Sequence, residues 1–312
     1  MRKNGYLFVA VIASCIVLGF ILGDYWIQIA TEAMIMVLFA MSFSLLYGHT
    51  GLLTFGQGAF FAMGAYGFAL TLTKLGWPFP LCLLSGVVAG ALWATCTGFI
   101  CVRLSGIYFG IMTVVVSQAT FYIIFQWYSL TGGDDGIQGL APPGFLMDPQ
   151  GYYYYTLIVV VATVLGYLRL VNSPFGLSLK CIRENMLRST FVGLDVRKQR
   201  MKAFVLAGSI AAIAGVLQAP FTRSVVPQMA DWLSSGKAVF MGVLGGAAHV
   251  LGPIVGAAIW VFLDAFVSNY TIHWPLIIGF IVFIIVFFMP GGLMGMLSGL
   301  GASRKRDEQA DE

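Results

Sequence analysis

Two carboxylates, Glu32 and Asp264, interrupt long apolar runs, and groups of that kind can do chemistry there only if something receives their charge. At the centre of a membrane-crossing helix an acidic residue costs about 2.5–3.5 kcal/mol on insertion scales, so it faces the bundle or a cavity, not lipid. In a cavity the two would meet the charges of a zwitterionic solute; packed away, they would make buried hydrogen bonds. Within the spans read from hydropathy no Lys or Arg is available to pair with them, which favours the packed arrangement. Gln57, Gln118 and His49 are polar candidates of the same sort, far less costly to bury, and such residues more often join two helices than hold a ligand. No HExxH, Ser/His pair or cofactor motif is present, so no catalytic or metal-ligating residue is assigned and the chain is not expected to be an enzyme. Cys15, Cys82, Cys96, Cys101 and Cys181 are odd in number, lack CxxC spacing and read as small hydrophobes.

The elements that must position these groups are helices in a bilayer. Hydrophobic residues make up 59% of the 312-residue chain and charged ones 10%, against about 25% charged in a soluble domain; mean hydropathy is +0.89. A crossing helix takes roughly 20 apolar residues, and runs of that length exclude a barrel. Candidate spans are 5–22, 28–47, 57–73, 81–101, 106–127, 153–171, 203–221 and 275–289, with a longer apolar stretch at 238–267. Arg2 and Lys3 resemble the start of a signal peptide, but no small-residue cleavage site follows, so an uncleaved first helix is expected.

Positive charge gives the orientation. With Arg2 and Lys3 inside, alternation puts Arg103 and the 172–202 loop inside and the 128–152 loop, with Asp134, Asp135 and Asp148 and no Lys or Arg, outside. Arg304, Lys305 and Arg306 place the tail inside as well, so the number of crossings is even and 238–267 divides near Gly252 and Pro253. The expected fold is an all-α polytopic membrane protein of about ten transmembrane or broken helices, both termini cytoplasmic, in one transmembrane domain (1–303) with a polar tail (304–312). The net charge of +4 then reports orientation and not a nucleic-acid partner. Trp26, Trp77, Trp127, Trp232 and Trp274, with Tyr152 to Tyr155, fall near span ends and read as interfacial anchors.

Residues 172–202 are the one long polar and basic stretch inside the apolar chain. Leu179, Ile182, Met186 and Phe191 recur at near-helical spacing among Lys180, Arg183, Glu184 and Arg188, which predicts an amphipathic helix of about three turns. Gly193 suits the position after its end and Asp195 the N-cap of the next helix. Pattern alone divides this unit evenly between a segment lying on anionic lipid and a docking element. Glycines cluster at 48–67 and 242–256, where they serve either close helix packing through GxxxG pairs or unwound backbone along a pathway. The stretch Thr131, Gly132, Gly133, Asp134, Asp135, Gly136 lacks the Lys and Ser/Thr of a phosphate loop and reads as an external turn, gate or docking loop.

The string CIRENMLRSTFVGLDVRKQRMKAFVLAGSIAAIAGVLQA resembles the branched-chain amino acid permease family of ABC importers, LivM type. YGHTGLLTFGQGAFFAMGAYG at 47–67, LTGGDDGIQGL at 130–140, GVLGGAAHVLGPIVGAA at 242–258 and MPGGLMG at 289–295 are similar to it in the same order. The resemblance implies a cytoplasmic helix-turn-helix that couples to an ATPase through Arg183, Glu184, Asn185, Arg188, Gly193 and Asp195. Arg183, Glu184 and Asn185 stand where many ABC permeases carry Glu-Ala-Ala. Glu32, Gln57, Gln118 and Asp264 stay the candidate pathway residues by their polarity within apolar runs, and the resemblance places an external loop of Gly132, Gly133, Asp135 and Gly136 near a binding protein. The implied partners are a second homologous permease, two cytoplasmic ATPases carrying ATP and Mg, and an extracytoplasmic binding protein that delivers branched-chain or related amino acids, in a bacterial inner membrane. An ion-coupled secondary transporter, or an importer of urea or short amides, remains the alternative.

Overall fold

A computed structural model describes residues 15–16, 18–19, 23–268, 273–288 and 291–295. The first expected span, 5–22, is therefore described only in part, and the tail at 304–312 lies outside the described residues.

In chain order the helices are α1 (Asp24–Thr50), α2 (Gln57–Thr73), α3 (Phe79–Cys101), α4 (Ile107–Gln126), α5 (Pro149–Val171), α6 (Pro174–Glu184), α7 (Met186–Phe191), α8 (Val196–Thr222), α9 (Trp232–Gly245), α10 (Gly252–Ser268) and α11 (Trp274–Phe288), with one-turn and 3-10 pieces between some of them. Of these, α1, α3, α4, α5 and α8 are long and apolar enough to cross a bilayer; α10 is shorter and equally apolar. Prolines mark several starts, since Pro lacks only an N–H that a first turn cannot use: Pro149 and Pro174 open α5 and α6, and Pro78 caps α3. The 238–267 stretch divides as expected, with α9 ending at Gly245 and α10 starting at Gly252.

Helices α1 and α8 run through the centre and are mostly buried, whereas α3, α4 and α5 leave much of their surface exposed. Small residues set how closely the helices approach. A Cβ on Gly64 (α2) would overlap the Ala212 carbonyl of α8, and one on Gly215 (α8) would overlap the Phe61 carbonyl of α2. Gly86 and Gly90 of α3 press on Val216 and Ala212, and Gly242 of α9 on Phe43 of α1. Close packing, not unwound backbone, is what these glycines provide. Between them Phe204 meets Phe60 and Phe109 edge-on, at 5.3 and 6.0 Å between ring centroids.

Two expectations need correction. Tyr152 and Tyr153 are buried, not interfacial: their hydroxyls donate to Leu217 O (2.5 Å) and Cys15 O (2.7 Å), clamping α5 to its neighbours because a buried phenol needs an acceptor. The helical bundle also carries a two-stranded antiparallel ribbon, β1 (Ile137–Gln138) with β2 (Ser224–Val225), Ile137 opposite Val225. It ties the α4–α5 connection to the end of α8.

Candidate functional site

The basic segment is built from three caps in succession. Ser173 and Pro174 start α6, on which Leu179 and Ile182 are buried. The continuous three-turn helix expected from the spacing is not formed. Asn185 is extended (φ −156°, ψ 105°), and its Oδ1 accepts from the Arg188 N–H at 2.9 Å, so it ends α6 and caps α7. Asn competes for backbone in this way and favours N-caps over helix interiors. As a result Met186 and Phe191 point outward, Phe191 being 89% and its neighbour Val192 82% exposed.

Gly193 follows α7 at φ +90°, with its N–H on Thr190 O (3.0 Å) and that of Leu194 on Ser189 O (3.1 Å). This is a Schellman ending, whose left-handed residue is normally Gly. Asp195 caps α8, accepting from the Lys198 N–H at 3.0 Å and pairing with its ammonium at 3.1 Å. The backbone bond from Lys198, more than the nearby charge, holds the Asp195 carboxyl below the usual carboxylate range. Arg183 donates through Nη1 to the Gly48 carbonyl at the end of α1, fastening the segment to the central helix. Glu184, Asn185 and Arg188 line an open cleft of about 370 Å³ between α6 and α7.

Inside the bundle, polar groups gather where the chain is broken. α2 begins at Gln57 after the non-helical residues 51–56, and α9 begins at Trp232 after a 3-10 turn at Pro227–Ala230. The Gly58 N–H donates to Ser235 Oγ (2.8 Å), Ser117 Oγ to Ala230 O (2.8 Å) and Gln118 Nε2 to Asp231 Oδ1 (2.5 Å). The Phe55 N–H donates to Thr113 Oγ1 (3.0 Å). Gln57 is fully buried and accepts from Ser42 Oγ at 3.2 Å, while its Nε2 has no partner among the described residues. His49 bonds the Ser44 carbonyl of its own helix through Nδ1 and meets Tyr167 edge-on. Gln118 thus belongs to a seam with Ser117, Asp231 and Ser235 that the Gly58 N–H joins, while the neighbouring Gln57 side chain bonds Ser42 of α1.

The Gly-Gly-Asp-Asp-Gly loop is held on the ribbon. Gly132, Gly133 and Gly136 all have positive φ, Asp134 Oδ1 accepts from Gln228 Nε2 at 3.1 Å, and the side chain of Asp135 is exposed. The N–H groups of Gly139 and Leu140 both donate to Arg223 O.

A family model described as "Branched-chain amino acid transport system / permease component" matches residues 25–288. The chain belongs to this permease family. It is 26% identical over 94% of its length, and 76% of the relative's, to the high-affinity branched-chain amino acid transport system permease protein LivM of Escherichia coli K12. It is 27% identical over 69% of its length, and 66% of the relative's, to the probable LivM of Methanocaldococcus jannaschii. To LivH of Escherichia coli K12 it is 23% identical over 83% of its length and 90% of the relative's. No solved structure matches.

In this permease the two carboxylates are not part of the Gln118–Asp231 seam. Glu32 lies on α1 and Asp264 on α10, helices that pack together, and among the described residues neither carboxylate makes a salt bridge. Lys237 stands one residue before the apolar stretch at 238 and looks like a flanking charge, but it lies inside α9, which packs along α1 and α10. The signal for it was Asp231, an N-cap residue six positions earlier that starts the helix well before hydropathy does.

Proposed function

We propose that this permease is the membrane-spanning subunit of an ATP-driven importer of branched-chain or related amino acids. The observation that carries the reading is the α6–α7–α8 unit. It is basic, capped at each joint, fastened to α1 through Arg183, and presents Leu187, Phe191 and Val192 outward with nothing packed over them. Exposed apolar side chains ringed by charge are suited to a protein partner, and rigid joints transmit a push. ATP-driven closure of two cytoplasmic ATPases, holding ATP and Mg, would press on this unit and move the end of α1, shifting the bundle between outward- and inward-facing states. A second, homologous permease would complete the transmembrane part, and an extracytoplasmic binding protein would deliver solute to the side bearing the β1–β2 ribbon. On this reading both termini and the 172–202 segment are cytoplasmic and the membrane is the bacterial inner membrane.

Carboxylates within the bundle are what an ion-coupled carrier would use instead, and bioenergetics separates the two. Uptake into cells whose proton and sodium gradients are collapsed while ATP is held constant should continue; an immediate stop would sink the importer reading.

A further inference from the structure

We propose that a cleft between α5 and the α3–α8 pair binds one anionic phospholipid, whose phosphate meets Arg169 and Lys202 and whose acyl chain lies along the apolar wall beyond them. The proposal does not depend on which solute the permease carries.

α3 packs along α8, whereas α5 packs mainly on α1, and a cleft of about 830 Å³ is left where α5 passes the other two. Ligand pockets hold roughly 300–1,000 Å³, so the space is of binding size. Its lining is ordered along the helices. Arg169 stands in the last turn of α5, and Gly166, a turn deeper on the same face, has open space where a Cβ would be. On α8, Lys202 is followed on one face by Val205 and Leu206, with Met201 beside it. Both cations therefore sit towards the end of the bundle that carries the basic segment, and hydrocarbon lines the cleft further in.

Arg169 and Lys202 are exposed, and among the described residues neither side chain makes a hydrogen bond or an ion pair. No described Asp or Glu lines the cleft. Its other polar side chains are already engaged: Thr95 Oγ1 donates to Ala91 O (2.8 Å) and Ser173 Oγ to Leu170 O (2.6 Å). Two free cations at the mouth of an apolar groove are the complement of an anionic amphiphile. Because α3 and α5 leave much of their surface exposed, the groove opens towards the bilayer, where lipid chains are the solvent that fills it. The cations then choose the headgroup, since Lys and Arg at a membrane surface attract anionic lipid and a phosphate accepts charge-assisted bonds from both. A zwitterionic lipid brings the same phosphate together with a cation, for which the cleft has no carboxylate.

The test uses the whole purified transporter, stripped of lipid in detergent and titrated with phosphatidylglycerol or with phosphatidylcholine of identical chains, bound lipid being counted by native mass spectrometry. One phosphatidylglycerol should be held about tenfold or more tightly than phosphatidylcholine, each basic residue being worth about fivefold in attraction to anionic lipid. Arg169→Gln combined with Lys202→Gln should remove that preference. A phosphatidylglycerol carrying a diazirine in its chain should label residues 166–175 or 201–206 of the parent. Gly166→Leu, which fills the cleft and keeps both charges, should lose the label. Equal retention of the two lipids by the parent, a double variant that keeps the preference, or a label confined to other residues would overturn the proposal. If the double variant does not assemble, the label on the parent and its loss in Gly166→Leu decide alone. Glycerol 1-phosphate that displaces the lipid at equal concentration would make this a site for soluble phosphates and overturn it. A photoreactive side chain placed at Gly166 should cross-link to lipid; cross-linking to a second permease or an ATPase subunit instead would give the cleft to a protein and overturn it too.

Discussion

Gly193 and Gly215 stand just before and within the same helix, α8, and are glycines for opposite reasons. At Gly215 the backbone is ordinary helix, but any side chain would run into the Phe61 carbonyl of α2. At Gly193 nothing lies within 4 Å of where a Cβ would be, yet φ is +90°. The first is a demand of distance between two helices, the second of dihedral angle in one turn. The bundle is specified by how near its helices must come, and the basic segment by how sharply its chain must turn. Damage to the first should therefore prevent folding, while damage to the second should leave a folded permease that no longer engages its partner.

The largest effect is expected at the helix crossing. Gly215→Leu forces a carbonyl and a side chain into one volume that backbone cannot vacate, at a cost on the order of 4–5 kcal/mol or more, the exceptional end for a single change. It should abolish recovery of monodisperse protein from membranes. Gly166→Leu, on an outward face of α5 with open space at its Cβ, should leave recovery near the parent's. Equal recovery of the two variants would show that α2 and α8 can separate, and the distance argument would fail.

Within the bundle a smaller loss follows from Gln118→Leu, which strands Asp231 at the start of α9. A fully buried acceptor left without its donor costs about 1–3 kcal/mol, and the half-buried Asp231 should lose part of that. The detergent-solubilised chain should melt several degrees lower, and Asp231→Leu added to it should lower the melting point little further, because the two act as one pair. Additive losses would mean that the 2.5 Å contact does not couple them.

On the other side of the comparison, Gly193→Trp imposes an αL penalty of about 1–2 kcal/mol on one exposed turn. The subunit should stay in the membrane at parental levels but lose co-purification with its ATPases and the stimulation of their ATP turnover. Gly193→Asn, which tolerates αL, should retain both. A Trp variant that couples like the parent would refute the role given to this turn.

How much of this could be read from sequence follows the same division. Turn chemistry is local, so Gly193 as a helix ending and Asp195 as a cap were legible. The break between α9 and α10 was legible from charge parity and the Gly252–Pro253 pair. The family resemblance was legible from ordered motifs and is borne out by the match over residues 25–288. The capping role of Asn185 was missed because the apolar spacing runs through it, and a cap inside a periodic pattern is invisible to periodicity. Which glycines touch which carbonyls was not legible, since it depends on the crossing of α2 with α8 and not on either helix alone. Lys237 was hidden for the same reason: a hydropathy window ends at a charge, whereas a helix packed between α1 and α10 does not.

The smallest expected effect is at Asp195, and it tests whether the α7–α8 joint is set by capping at all. Its carboxyl is exposed and lowered in pKa mainly by the Lys198 N–H it accepts from. A carboxyl whose pKa is lower in the folded chain than in the unfolded one favours folding above its unfolded value, and the contribution fades as pH falls through the folded value, below the ordinary 3.8. Asp195→Ala should therefore speed hydrogen exchange at the Lys198 amide throughout the neutral range. The parent should approach the exchange of the Ala variant only in strong acid, once the intrinsic pH dependence of exchange is divided out. Asp195→Asn caps nearly as well without ionising, so it should protect the same amide with no acid transition. It loses only the exposed ion pair with Lys198, a contact of little worth in water. If Asn and Ala exchange alike, the cap is the carboxylate's charge acting on the start of α8 and not the hydrogen bond, and the turn at Gly193 alone would have to hold the joint.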